Sequence, residues 1–249
     1  MSLTPPGGLG RPLPVRASDL LLLLIASLGA VRLAAAVVAG AVRPGAAADG
    51  DGDRVLIMTL GLLLFQTAVM LGAIHALVIR KYALSWADLG LRPAARRWYG
   101  RAVVIAILLL PAVALVNALI LKFADQPFEN PQIYAIAPAG FSWFAVLAMT
   151  VMAGIVAPFA EEVAFRGLLF PWLRERLGVP GAAVASGVCF AALHGVILLI
   201  PALTVIGIAL ALVYQRSGSL WPAVVTHGVF NIVMITALYA ALAGEIELP

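Results

Sequence analysis

Ala160-Glu161-Glu162-Val163-Ala164-Phe165-Arg166-Gly167 sets two adjacent carboxylates and a guanidinium at the end of an apolar run that begins near residue 141. Two more apolar runs carry polar groups in the same manner. One holds Phe190-Ala-Ala-Leu-His194, the other His227-Gly-Val-Phe-Asn231. A charge inside a bilayer costs about 2.5–3.5 kcal/mol on insertion scales. Three segments bearing polar groups of this kind, each suited to proton transfer or hydrogen bonding, point to a reactive site within a membrane.

Composition supports the membrane. Of 249 residues, 63% are hydrophobic and 11% charged, against about 25% charged in a soluble domain. Mean hydropathy is +1.05. The runs are continuously apolar rather than alternating, which argues for helices and against a barrel. The expected fold is therefore all-α: a polytopic transmembrane helix bundle of about seven to eight helices. Apolar spans fall near 20–42, 55–79, 102–121, 141–165, 181–199, 202–215 and 221–243, the sixth being short. Residues 1–19 read as a disordered, Pro- and Gly-rich tail, 20–79 as N-terminal transmembrane helices, 80–101 as a basic interfacial segment and 102–249 as the catalytic bundle. Small residues near Ala46–Ala48 imitate a signal-cleavage site. The preceding run is longer than the ~7–15 residues of a signal peptide's apolar core, so it reads as an uncleaved first helix.

The net charge of +4 sits mostly in loops, so topology explains it better than nucleic-acid binding does. With the N-terminus in the cytoplasm, eleven Lys and Arg lie inside, three outside and two (Arg32, Arg166) within spans, a clear positive-inside bias. In segment 80–101, Trp86, Trp98 and Tyr99 interleave with arginines, as in a segment lying on the membrane surface or in a solvated connector with interfacial anchors. The single cysteine, Cys189, excludes a disulfide within the chain.

Neighbouring helical residues point about 100° apart, so Glu161 and Glu162 face differently. Glu162 and Arg166, four apart, share a face and pair, which lowers the cost of burying both. Glu161 is the freer carboxylate and a candidate general base. His194, deep in its span, reads alone as a hydrogen-bonded core residue, and beside two carboxylates and a second histidine as a candidate for the site. His227 and Asn231 project from one helical face and can donate hydrogen bonds, either to a developing oxyanion or between helices. Gly50-Asp51-Gly52-Asp53 lacks an intramembrane partner aspartate, and position twelve of a calcium loop starting at Asp49 is Leu60 rather than glutamate. Neither an HExxH nor a GxSxG motif occurs. His75, Gln66, Asn117 and Arg32 read as structural.

Together the three motifs, in order on successive apolar spans, resemble the CPBP family of intramembrane proteases, the CAAX-processing and bacteriocin-processing group. Its pattern is Glu-Glu-x-x-x-Arg, Phe-x-x-x-His and His-x-x-x-Asn. The resemblance covers about residues 80–240 and includes Asp88-Leu89-Gly90-Leu91 before the core. It implies that Glu161 and His194 activate a water, that His227 and Asn231 stabilise the oxyanion, and that Glu162 and Arg166 support the geometry. Two His and two Glu could in principle hold zinc; with His227, Asn231 and Glu162 so engaged, too few ligands remain, and a cofactor-free mechanism is favoured. A metal-dependent protease, a scaffold or bacteriocin-immunity-type protein on the same fold, and a proton-coupled transporter are the competing readings. The transporter lacks the expected repeats. Expected partners are the lipid bilayer and a peptide or membrane-anchored protein substrate, with no nucleic acid. The Ala, Gly and Arg bias suggests a bacterial cell membrane.

These spans carry a conflict of depth. Helices with the ends given put Glu161 near the cytoplasmic edge and His194 much deeper. Either the fourth helix runs on past Arg166 or the fifth begins later than 181. Pro158 allows a kink just before the motif.

Overall fold

A computed structural model describes residues 13–41, 52–123, 133, 136, 137 and 140–244. Six helices follow one another: α1 (Ala17–Ala41), α2 (Gly52–Arg80), α3 (Arg97–Phe123), α4 (Trp143–Leu193), α5 (Ile197–Ser217) and α6 (Leu220–Leu242). The described residues contain no strand. Helices α2 to α6 are long and apolar enough to cross a membrane, and α1 adds an apolar stretch, Ala17–Ala30. The molecule is an all-α membrane bundle.

Among the described residues the helices number six, fewer than the expected seven to eight, with α4 itself made of two helical arms that meet at Gly178. Residues 197–199 open α5, while the expected span 141–165 and most of 181–199 belong to one element, α4, interrupted where Gly178 adopts φ 68°, ψ 177°. Glycine has no Cβ to obstruct this conformation, and Pro180 follows within the next turn. The chain folds back there: Phe165 of the first arm (143–177) meets Phe190 of the second (179–193), ring centroids 5.3 Å apart. The first arm runs on well past Arg166, which resolves the conflict of depth. Glu161 and His194 are nearly equidistant from Gly178 along the chain, so the two arms carry them to similar heights.

Helix packing is tightest where glycines meet. A Cβ on Gly207 of α5 would lie 2.6 Å from Gly187 Cα on the second arm. One on Gly228 of α6 would lie 2.5 Å from the Gly154 carbonyl oxygen on the first. Small residues at such crossings let backbones approach closely, the usual route to helix association without a hydrophobic driving force.

Most of the expected tail, residues 1–12, lies outside the described residues. Its last part is packed: Val15 and Asp19 are buried, and Asp19 accepts hydrogen bonds from Lys81 Nζ at 2.6 Å and from the Tyr82 hydroxyl. Segment 80–101 is a latch on the basic end of the bundle. Asp88 closes its first turn onto Ser85, and His75 stacks on Trp86. Leu89 is fully buried. Gly90 accepts from the Leu220 N–H at 2.8 Å. Arg92 Nε donates to the Gly218 carbonyl at 2.7 Å, and Ser219 Oγ donates to the Arg92 carbonyl. The latch thus satisfies the α5–α6 turn, and the Leu89 carbonyl also abuts Gly167, next to Arg166.

Candidate active site

The first arm of α4 is not a uniform helix. Two π-turns, Met152–Val156 and Phe165–Leu169, flank the α-helical stretch Ala157–Ala164 that carries both glutamates. Their signature is the longer bond, Ala157 N–H to Met152 C=O and Phe170 N–H to Phe165 C=O. Each inserts a residue, re-aims the face that follows and leaves backbone groups free for other partners.

Glu162 and Arg166 are both fully buried. Arg166 Nη1 donates to Glu162 Oε1 at 2.8 Å, and Nη2 to the Gly207 carbonyl of α5 at 3.0 Å. The Glu162–Arg166 pair expected from spacing is present. Glu162 has a second partner that spacing did not reveal: His227 Nδ1 lies 3.0 Å from the same Oε1. His227 Nε2 faces the other carboxylate, 3.8 Å from Glu161 Oε2. The imidazole of α6 therefore sits between the two glutamates of α4. Glu161 is the more open of them, its side chain 26% exposed against 0% for Glu162.

His194 caps the second arm, where the helix gives way to a turn at Gly195 (φ 74°). Its Nδ1 lies 2.8 Å from the Phe190 carbonyl. A carbonyl can only accept, so Nδ1 carries the proton and a neutral ring has its lone pair on Nε2. No hydrogen bond joins His194 to Glu161 among the described residues. Phe190 connects His194 to the cluster. Its buried ring meets His194 edge-on at 4.7 Å and His227 at 5.5 Å, and lies under the Arg166 guanidinium at 4.8 Å. These contacts order the polar groups around one aromatic face.

Asn231, one turn beyond His227, points its Nδ2 at the Ala153 carbonyl of the first π-turn, 2.8 Å away. Glu161, Glu162, Arg166 and His227 thus form one contiguous cluster, His194 joins it through Phe190, and Asn231 is held against the π-turn. The contribution of Gly207 and Ala153, made through carbonyls rather than side chains, left no residue-type signal in the sequence. Among the described residues, no three His, Cys, Asp or Glu side chains gather as ligands of one metal ion would.

This set can hold a water beside a carboxylate and an imidazole, and can present hydrogen-bond donors from α6. Residues 142–233, which include all three motifs, match the family model described as type II CAAX prenyl endopeptidase Rce1-like. The chain is also 30% identical over 87 residues to a Bacillus subtilis (strain 168) protein named "Putative membrane peptidase YdiL", an alignment covering 35% of this chain and 36% of that one. The chain thus spans about a third of that relative's length. No solved structure matches significantly. Through the segment 142–233, this chain is similar to the CAAX-type membrane endopeptidases of that family model.

Proposed function

We propose that the protein is an intramembrane endopeptidase that hydrolyses a peptide bond with a water activated by Glu161 and His194, without a metal cofactor. The observation that carries this reading is the His227 imidazole held between a buried carboxylate, paired to Arg166, and the partly exposed carboxylate of Glu161. Glu162 has its charge balanced by Arg166, so Glu161 is the carboxylate left to take a proton from water. His194, with Nε2 as its acceptor, is the second base. The attacking oxygen forms a bond to the scissile carbonyl carbon, and the carbonyl electron pair moves to oxygen. His227 Nε2 and the Asn231 amide stabilise that oxyanion. Since His227 already donates from Nδ1 to Glu162, donation from Nε2 as well requires the doubly protonated ring. Collapse of the intermediate breaks the C–N bond, and the proton taken from water passes to the leaving amine.

The substrate is a peptide or membrane-anchored protein reaching the site from the bilayer or its basic face. The arginines collected at one end support a multi-pass orientation with that end, and the N-terminus, in the cytoplasm; the Bacillus relative favours a bacterial cell membrane. The test is cleavage of a quenched peptide library by the detergent-purified protein, wild type beside Glu161→Gln, with and without a strong chelator. Cleavage that survives the chelator and vanishes in the variant is the expected result. Loss with the chelator would establish a metal-dependent protease. Equal inertness of both proteins would favour the non-proteolytic scaffold.

A further inference from the structure

The carbonyl that Asn231 binds is available for a local reason. In the first π-turn the Ala157 N–H reaches back five residues to Met152. By the end of the following helix, bonding has returned to the four-residue register, with Phe165 N–H donating to Glu161 C=O. Pro158, which has no N–H, stands five residues after Ala153 and four after Gly154, the two carbonyls that a donor at that position would serve in the longer and the shorter register. The change of register and the missing donor leave carbonyls of the first arm short of helical partners just before Glu161. Buried carbonyls require partners. Asn231 Nδ2 serves Ala153 at 2.8 Å, and Gly228, one turn earlier on α6, lies against the Gly154 carbonyl so closely that no Cβ would fit. Gly154 in turn admits Ile232, whose Cγ1 would lie 2.6 Å from a Cβ at that position.

We propose that the π-turn Met152–Val156 and Pro158 form a positioning device for the Asn231 carboxamide. A free asparagine amide rotates and can present oxygen or nitrogen. Clamped to a carbonyl, which only accepts, it must present the NH2 group there, with one N–H bound and the other left to donate. The donor is oriented before substrate arrives, so no reorganisation is needed as charge develops. Pro158, Gly154 and Gly228 are positioning residues that act through Asn231. The catalytic consequence rests on the reading of Asn231 as an oxyanion donor; the orientation itself does not.

Two measurements on the full-length protein in detergent test the device. With asparagine side chains 15N-labelled, and the Asn231 signal assigned by its loss in Asn231→Ser, the two amide protons should exchange with solvent at different rates, one of them protected. Pro158→Ala gives an N–H back to the freed carbonyls, and Gly228→Ala drives α6 off the π-turn. Both should remove that protection. On a cleaved peptide, both should lower kcat by roughly 10-fold or more while KM stays within about twofold. In an Asn231→Ala background neither should lower it further. Removing a proline from a helix does not weaken it, so Pro158→Ala should lose activity without a fall in Tm. Equal, unprotected exchange of both protons in the wild type would overturn the proposal. Protection unchanged in both variants, or the same loss of kcat with Asn231 already removed, would do the same. Protection as expected in a protein that cleaves nothing would defeat the peptidase reading and leave the orientation standing.

Discussion

Replacing Arg166 by methionine isolates the energetics of the buried cluster. The guanidinium is fully buried, neutralises Glu162 at 2.8 Å and binds the Gly207 carbonyl at 3.0 Å. Methionine fills much of its volume but leaves the Glu162 carboxylate with only His227 Nδ1 at 3.0 Å. Breaking a buried ion pair from one side costs about 3–5 kcal/mol, mostly from the stranded charge. The lower end applies here, because helices unfolded within detergent or bilayer retain partial solvation and other partners. About 3 kcal/mol is a shift of roughly 150-fold in the folding equilibrium. If the stranded charge is the cause, adding Glu162→Gln should recover most of the loss. A neutral amide needs no counter-ion, and its oxygen still accepts from His227. Glu162 Oε2 and Arg166 Nε are buried without partners among the described residues, so the native pair is itself incompletely compensated and the double variant should approach wild-type stability. Reversible unfolding in mixed micelles, read by Trp fluorescence for the wild type, both single variants and the double variant, measures the coupling. A single-variant loss below about 1 kcal/mol, the range of exposed pairs, would refute the reasoning. So would a double variant as unstable as Arg166→Met alone.

Three further outcomes are expected. Glu161→Gln should lower cleavage by about 10²–10⁴-fold, the range for a positioned general base, with Tm unchanged, since its side chain is partly exposed; parallel kinetics and melting check this. Gly207→Ala should cost about 1–3 kcal/mol from overpacking, because its Cβ would enter Gly187 backbone, and cleavage should fall as the Arg166 anchor shifts. The Asp19 clamp should give α1 a pH-dependent attachment, followed by hydrogen exchange of α1. The Lys81 ammonium, then the Tyr82 hydroxyl, lower the Asp19 pKa, and Asp19 raises that of Lys81. The carboxylate's contribution is therefore complete above its unfolded value of about 3.9 and disappears as pH falls through the lower folded one. That of the ammonium is complete below about 10.4 and disappears as pH rises through its higher folded value. Asp19→Asn should flatten the acid limb.

The membrane class and the polar cluster were legible because a bilayer penalises charge, so Glu161, Glu162, Arg166, His194, His227 and Asn231 stand out against apolar runs. The Glu162–Arg166 pair followed from helical spacing alone. The second bond of Glu162, to His227, did not, since it depends on how α6 packs on α4. The reversal at Gly178 falls in the interval left between the expected spans 141–165 and 181–199. Hydropathy windows register apolar length rather than turns, and they placed the ends of the two arms too far apart in depth. The π-turns are less visible still. Nothing in Met152-Ala-Gly-Ile-Val156 distinguishes it from an ordinary helical turn, and the donor that answers its Ala153 carbonyl stands on another helix.

The fold-back at Gly178 also shapes the surrounding lipid. The second arm spans residues 179–193, roughly 22 Å of helix at about 1.5 Å per residue, whereas the hydrocarbon layer is about 30 Å thick. Its turn into α5 ends in Ile197, 81% exposed, and Leu198, apolar side chains that favour acyl chains over water. A short element with a greasy tip draws the nearby leaflet inward, at fractions of a kcal/mol per ångström of mismatch. The bilayer is then expected to be thinnest on the side where His194 stands, and the protein should sort toward, and be most stable in, thinner membranes.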